Sequence, residues 1–153
     1  MTPGAFVLVL AVVLALGFGL WRAVTDGRFA GTHRVRGASA ETGTAPESAL
    51  AGSAYADQLG ARATFLQFSS AFCAPCRATR RVLSDAVDGR PDVAHVEIDA
   101  EHHLDLVRRL GILRTPTTLV LDADGTEVTR ATGVPTRTQV AAALALVDRA
   151  DGR

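Results

Sequence analysis

FLQFSSAFCAPCRATRRVL, Phe65 to Leu83, holds both cysteines of the chain, Cys73 and Cys76, with only Ala74 and Pro75 between them. An apolar, strand-like run, ATFLQFS (Ala63 to Ser69), leads into the pair. APCRATRRVLSDAVDG (Ala74 to Gly89) follows it, with Val82, Leu83, Ala86 and Val87 at helical spacing and Gly89 as the stop. The pair therefore lies where a strand ends and a helix begins. Unpaired N–H groups at a helix start favour a thiolate. Pro75 fits the first turn, where no backbone N–H is required, and Cys76 falls one turn inside. A C-x-x-C beside a βαβ pattern reads as a redox pair. Two other readings are weaker. Structural zinc takes about four ligands, and His95, His102 and His103 stand at no finger spacing from the pair. A passive staple across so short a loop removes little chain entropy.

Outward from the pair, VAHVEID (Val93 to Asp99) reads as a second strand. HLDLVRRLG (His103 to Gly111) reads as a helix with Leu104, Val107 and Leu110 on one face, and TTLVLDADGTEVTRATG (Thr117 to Gly133) as a hairpin around Asp124-Gly125. TRTQVAAALALVDRA (Thr136 to Ala150) closes the chain as a helix, and YADQLG before the first strand reads as a short helix stopped by Gly60. The order β-α-β-α-β-β-α predicts an α/β sheet with helices on its faces and an antiparallel part from the hairpin.

These segments carry a family resemblance. SSAFCAPCR resembles the active-site segment of thioredoxins, usually W-C-G-P-C followed by a basic residue, and RTPTTLVL (Arg114 to Leu121) resembles the family's cis-proline segment. VEIDAEHHLDLVRRLGI and DADGTEVTRATG are similar to its intervening strand and helix and to its last hairpin. The resemblance covers about Leu59 to Val147 and implies a thioredoxin fold, a central mixed sheet flanked by helices. It implies Cys73 as attacking thiol and Cys76 as resolving thiol, with no cofactor in the domain. It further implies Pro116 as the cis-proline, Thr115 as a presenter of backbone groups to a bound peptide, and Gly133 as the glycine flanking the substrate groove; an ordinary turn glycine is the alternative for Gly133. Thr117 and Thr118 read as strand formers.

The departures are informative. Phe72 replaces the family's tryptophan, keeping an apolar lid without the indole donor, and Ala74 replaces glycine beside Pro75, a position that tunes redox poise. Gln67 occupies the place of the buried acid that helps deprotonate the resolving cysteine, and an amide takes up no proton at neutral pH. His95, on the neighbouring strand, is a candidate relay for Cys76, alone or through water, against the alternative of a histidine that merely packs. Arg77 is a candidate for lowering thiol pKa or else part of a solvated face, and His102-His103 read as a solvated face.

AFVLVLAVVLALGFGLW (Ala5 to Trp21) is apolar throughout; with Gly4 it makes about 18 residues, near the lower limit for a membrane span. Trp21 marks its end, where an amphipathic ring suits the interface. A cleaved leader would carry a basic n-region, which Met1-Thr2-Pro3-Gly4 lacks, and the A-x-A-like site Ala38-Ser39-Ala40 lies well beyond the run. The expected organisation is a transmembrane helix over 4–22, a Gly/Ser/Thr/Ala-rich tether over 23–54, and the thioredoxin-like domain over 55–150. The anchored architecture is similar to that of membrane-tethered thioredoxin-like proteins of bacteria. Arg22, Arg28, Arg34 and Arg36 all follow the span, so the positive-inside rule predicts a cytoplasmic domain, with an extracytoplasmic one as the alternative.

Across its 153 residues the formal net charge is zero, with arginine as the sole source of Lys+Arg charge, so no basic face for nucleic acid is expected. Two cysteines exclude a disulfide-framework mini-protein. The expected activity is dithiol–disulfide exchange through Cys73 and Cys76, reducing protein disulfides. A thioredoxin-reductase-like flavoenzyme or a membrane thiol carrier is the expected electron donor. The rival is a redox-sensing or metal-binding module that docks a membrane partner with little turnover.

Overall fold

The computed structural model describes residues 3–25, 29–31, 48–150 and 152. The elements run α1 (Pro3–Thr25), β1 (Phe29–Gly31), a 3-10 turn (Ala56–Gln58), β2 (Ala63–Ser69), α2 (Ala74–Val87), β3 (Val93–Asp99), α3 (Leu104–Arg109), β4 (Thr117–Leu121), β5 (Glu127–Thr132) and α4 (Arg137–Ala150). They build a five-stranded sheet in the order β1-β5-β4-β2-β3. β2 pairs in parallel with β3 and antiparallel with β4, and β5 pairs antiparallel with β4 and β1. This is the mixed sheet expected from the chain order.

All seven residues of β2 are buried, which is why its apolar run is continuous rather than alternating. Period two then divides its side chains between two cores. Leu66 and Phe68 join Val96, Ile98, Leu106 and Leu119 on the α3 side. Phe65 joins Leu83, Val120, Val140 and Leu144 on the side covered by α2 and α4. Gln67, two residues beyond Phe65, faces this second side. On β3, Val93 belongs to the same side, so His95, Glu97 and Asp99 follow it there.

The stretch expected to be a tether, 23–54, contains structure. Phe29–Gly31 add a short edge strand, Phe29 opposite Ala131. Leu50 is fully buried in the α3-side core, and the Ala49 N–H donates to the Gly125 carbonyl at 2.9 Å. The packed unit thus starts before Tyr55, because Leu50 fills a core that β2 and β4 leave open; one leucine in a small-residue stretch is too weak a periodic signal to announce this. Gly60 also differs in role. The helix before it is a single 3-10 turn, and a Cβ on Gly60 would stand 2.3 Å from the Ala63 carbonyl oxygen and 2.6 Å from the Ala94 nitrogen. Close approach at the β2–β3 edge, rather than helix termination, requires the glycine. The Ala38-Ser39-Ala40 site and the arginines at 28, 34 and 36 lie outside the described residues.

α1 contains a 19-residue stretch, Pro3–Trp21, with a mean hydropathy of 2.5 and none of it buried. By length and composition it is able to cross a membrane.

Candidate active site

β2 ends at Ser69 and α2 begins at Ala74, so the chain must turn at the C-terminal edge of the sheet and present a helix N-terminus there. Cys73 is the N-cap, with extended backbone (φ −92°, ψ 100°), and Pro75 sits in the first turn. The Cys76 N–H points back at Cys73 Sγ at 3.1 Å. The two cysteines are joined as a disulfide with their Cα atoms 5.2 Å apart. Their exposures differ: Cys73 is half-buried, whereas Cys76 is only 3% exposed.

Two further loops meet this one. Thr115-Pro116 is a cis peptide, as the resemblance implies. The Thr115 hydroxyl lies 3.1 Å from the Ser70 hydroxyl, tying the cis-proline loop to the loop before the cysteines. Gly133 donates its N–H to the Pro116 carbonyl at 2.9 Å from a backbone with φ +86°, a region suited to glycine. Phe72 is completely exposed.

Beneath Cys76 lies a polar cluster. Gln67, fully buried, donates from Nε2 to the Cys76 carbonyl at 3.0 Å and to Ser69 Oγ at 2.7 Å, with Glu97 Oε1 at 3.3 Å. Its Oε1 lies 3.1 Å from His95 Nε2. The Cys76 carbonyl and the Glu97 carboxylate only accept, so the amide nitrogen must face them and the amide oxygen must face His95. His95 Nε2 is therefore the donor on that bond. The structure brings the expected Gln67–His95 pair together, but the amide stands between the imidazole and α2. The ring nitrogen on that side already carries a hydrogen, so it is not placed to take one from Cys76.

Burial holds the His95 pKa below the usual histidine value, with Glu97 opposing and Arg80 assisting. For Glu97, burial works to raise the pKa. The Arg80 hydrogen bond, the Ser69 hydroxyl, the Arg80 charge and the His95 charge together outweigh it and hold the carboxyl below its usual range. Arg80, one turn beyond Cys76, reaches Glu97 Oε2 at 2.5 Å. A cleft of about 450 Å³ opens beside the disulfide, lined among others by Cys73, Cys76, Arg77, Arg80, Glu97 and Asp99. A larger concavity, about 710 Å³ at the far end of α2, is lined by residues from Ser84 to Pro91 and holds no thiol or imidazole. Among the described residues no group of three or more His, Cys, Asp or Glu is arranged to hold a metal ion. Asp99 Oδ2 holds His102 Nδ1 at 2.8 Å, and His103 Nδ1 bonds the Asp99 carbonyl at 3.0 Å while its Nε2 meets the Tyr55 hydroxyl at 3.2 Å. The His102-His103 pair thus lies at the head of α3, with His102 exposed and His103 in a structural bond.

Residues 53–148 match the thioredoxin-like domain family. The chain belongs to that family. This thioredoxin-like chain is 29% identical to thioredoxin of Mycoplasma genitalium over 75 residues, 49% of this chain and 72% of that protein. It is similar in fold to chloroplastic thioredoxin z, with a TM-score of 0.52 at 22% identity over 58% of this chain and 80% of the other. Thioredoxin of Fasciola hepatica gives 0.51 at 21% identity over 60% and 85%. The thioredoxin-like domain and its closely spaced cysteines make the chain a thiol–disulfide oxidoreductase.

Exposed apolar side chains also flank the loops that meet at the cysteines. Leu113, 96% exposed, precedes the cis-proline loop, and Val134, 36% exposed, follows Gly133. With Phe72 they supply an apolar residue in each of the three loops. An apolar residue in a loop carries no sign of whether it packs inward, so exposure alone reveals them. In the sequence Glu97 is one more residue of a strand; its place opposite Gln67 follows from the β2–β3 register.

Proposed function

We propose that the chain is a membrane-tethered reductase of protein disulfides. The observation that carries this reading is the unequal exposure of Cys73 and Cys76 at the start of α2. A reachable thiolate attacks, and a sheltered one resolves. In the reduced domain the helix-end N–H groups, the Cys76 amide first among them, favour the Cys73 thiolate. That thiolate attacks one sulfur of a substrate disulfide, whose S–S bond breaks as a mixed disulfide forms and one substrate thiolate leaves. Cys76, deprotonated, then attacks Cys73 Sγ. The mixed disulfide breaks, the second substrate thiolate leaves, and the Cys73–Cys76 disulfide remains. Two electrons have passed from the pair to the substrate. No cofactor takes part within the domain. Phe72, Ala74, Pro75, Thr115, Pro116 and Gly133 form the surface on which the substrate backbone docks.

α1 is the tether, and the arginines that follow it favour a cytoplasmic domain. There a flavoenzyme of the thioredoxin-reductase kind returns electrons to the pair. On the outer side a membrane thiol carrier takes its place. C-terminal reporters active on only one side of the membrane decide between the two. Turnover of a generic protein disulfide by the full-length chain tests the activity. Many turnovers support the reductase; a single change of state points to a sensor docked on a membrane partner, and stoichiometric metal uptake by the reduced pair to a metal carrier.

A further inference from the structure

Deprotonation of Cys76 is the step for which the exchange mechanism lacks a group. Gln67 beneath it is an amide whose hydrogens already point at the Cys76 carbonyl and at Ser69. His95 lies on the far side of that amide and donates to it. The cleft beside the disulfide is lined by two carboxylates, Asp99 and Glu97. Asp99 lies on the outer rim, its side chain 40% exposed, where it accepts from the Glu101 N–H at 2.9 Å and pairs with His102 at 2.8 Å. Glu97 is directly opposite Gln67 in the parallel register, and its side chain is 21% exposed, open to the cleft yet largely sheltered.

We propose that Glu97 accepts the proton of Cys76 through cleft water, so that the carboxylate missing from β2 is supplied by β3. The inference rests on the reductase reading above. A cleft of about 450 Å³ is roomy enough for several waters, each needing about 30 Å³. The charged and titratable groups around Glu97 are Arg80 and Arg77 from α2, His95 and Asp99 from β3, and Cys73 and Cys76 at the head of α2; Gln67 and Ser69 complete the setting from β2. Arg80 and the Ser69 hydroxyl keep the carboxylate ionised against burial, so the form that can take a proton is the one present.

In the step, the Cys76 S–H bond breaks and its proton passes over water to Glu97. The freed sulfur electron pair forms the bond to Cys73 Sγ. The Cys73–substrate S–S bond breaks, and its electrons leave on the substrate thiolate, which takes the proton back from Glu97. The substrate is reduced, the cysteine pair is oxidised, and Glu97 is restored.

The test is the rate of mixed-disulfide resolution against pH, followed in the full-length protein in detergent by rapid quench, for the wild type and for Glu97→Gln, Glu97→Asp and His95→Gln. With Glu97 as acceptor, the wild-type rate is nearly flat from about pH 5.5 to 7, since the carboxylate is ionised throughout that range. In Glu97→Gln the rate falls by about 10²-fold near pH 6 and climbs about tenfold per pH unit, because free thiolate becomes the attacking species. Glu97→Asp restores the flat profile. A Glu97→Gln profile lowered equally at every pH, or unchanged, overturns the proposal. So does a slope that appears in His95→Gln and not in Glu97→Gln, which would hand the proton to the imidazole. If no mixed disulfide forms even in the wild type, the reductase reading itself has failed.

Discussion

Gln67 donates its amide hydrogen to the carbonyl oxygen of Cys76 at 3.0 Å, fastening the first turn of α2 to β2. The same side chain meets Ser69 and His95. Gln67→Leu keeps the approximate volume and removes all of these bonds at a fully buried position. Stability is expected to fall by about 2–3 kcal/mol, because buried partners lose their hydrogen bonds without regaining water. A urea midpoint that does not move would show that the cluster is not held through this amide.

The fold is expected to weaken as pH falls from neutral. Burial depresses the His95 pKa in the folded chain, so below about 6.5 the unfolded chain binds a proton that the folded chain does not. Stability is therefore full above that value and is lost as pH falls toward the folded-state pKa. Glu97, also depressed, adds a second loss that begins only below about 4.5. Thermal unfolding of His95→Gln should show a shallower slope than the wild type between about pH 7 and 5. Equal slopes would assign the acid sensitivity elsewhere.

Cys76→Ser should trap a covalent adduct between Cys73 and a protein disulfide, visible on a non-reducing gel, since the resolving sulfur is gone. Cys73→Ser should trap none and lose turnover to background, because Cys76 is only 3% exposed. An adduct through Cys76 would reverse the two roles.

Phe72→Ala is expected to leave stability within about 0.5 kcal/mol, because the ring is completely exposed. The same change should raise KM for protein disulfides by about fivefold, the effect of losing roughly 1 kcal/mol of contact. A small disulfide that touches only the cysteines should be unaffected. Parallel steady-state measurements on the two substrates separate docking from chemistry.

Much of the architecture follows from local patterns. β2 and β3 occupy Ala63–Ser69 and Val93–Asp99, the limits of their apolar runs, and α2 and α4 end where their helical spacing ends. These boundaries are legible because strand and helix periods, glycine stops and the N-terminal proline act within a few residues of chain. The redox pair was legible for the same reason: a thiol, a proline and a second thiol at a strand-to-helix junction carry their chemistry locally. β1 and the burial of Leu50 were not, since each depends on a surface offered by residues far along the chain, Ala131 for β1 and the α3-side core for Leu50.

The sequence by itself determined that Cys73 and Cys76 stand at a helix mouth and that an apolar segment long enough to cross a membrane precedes the domain, and its resemblance to thioredoxins implied that Gln67 stands where that family has an acid. Tertiary structure alone decided that Leu50 belongs to the core, that the Gln67 amide stands between His95 and α2, and that Glu97 faces Gln67 and the cleft beside Cys76. The physical reason is that alternation along a strand says which residues share a face, whereas the register between β2 and β3 says which of them meet. Register is set by the whole sheet packing against its helices, and no stretch of the sequence contains it.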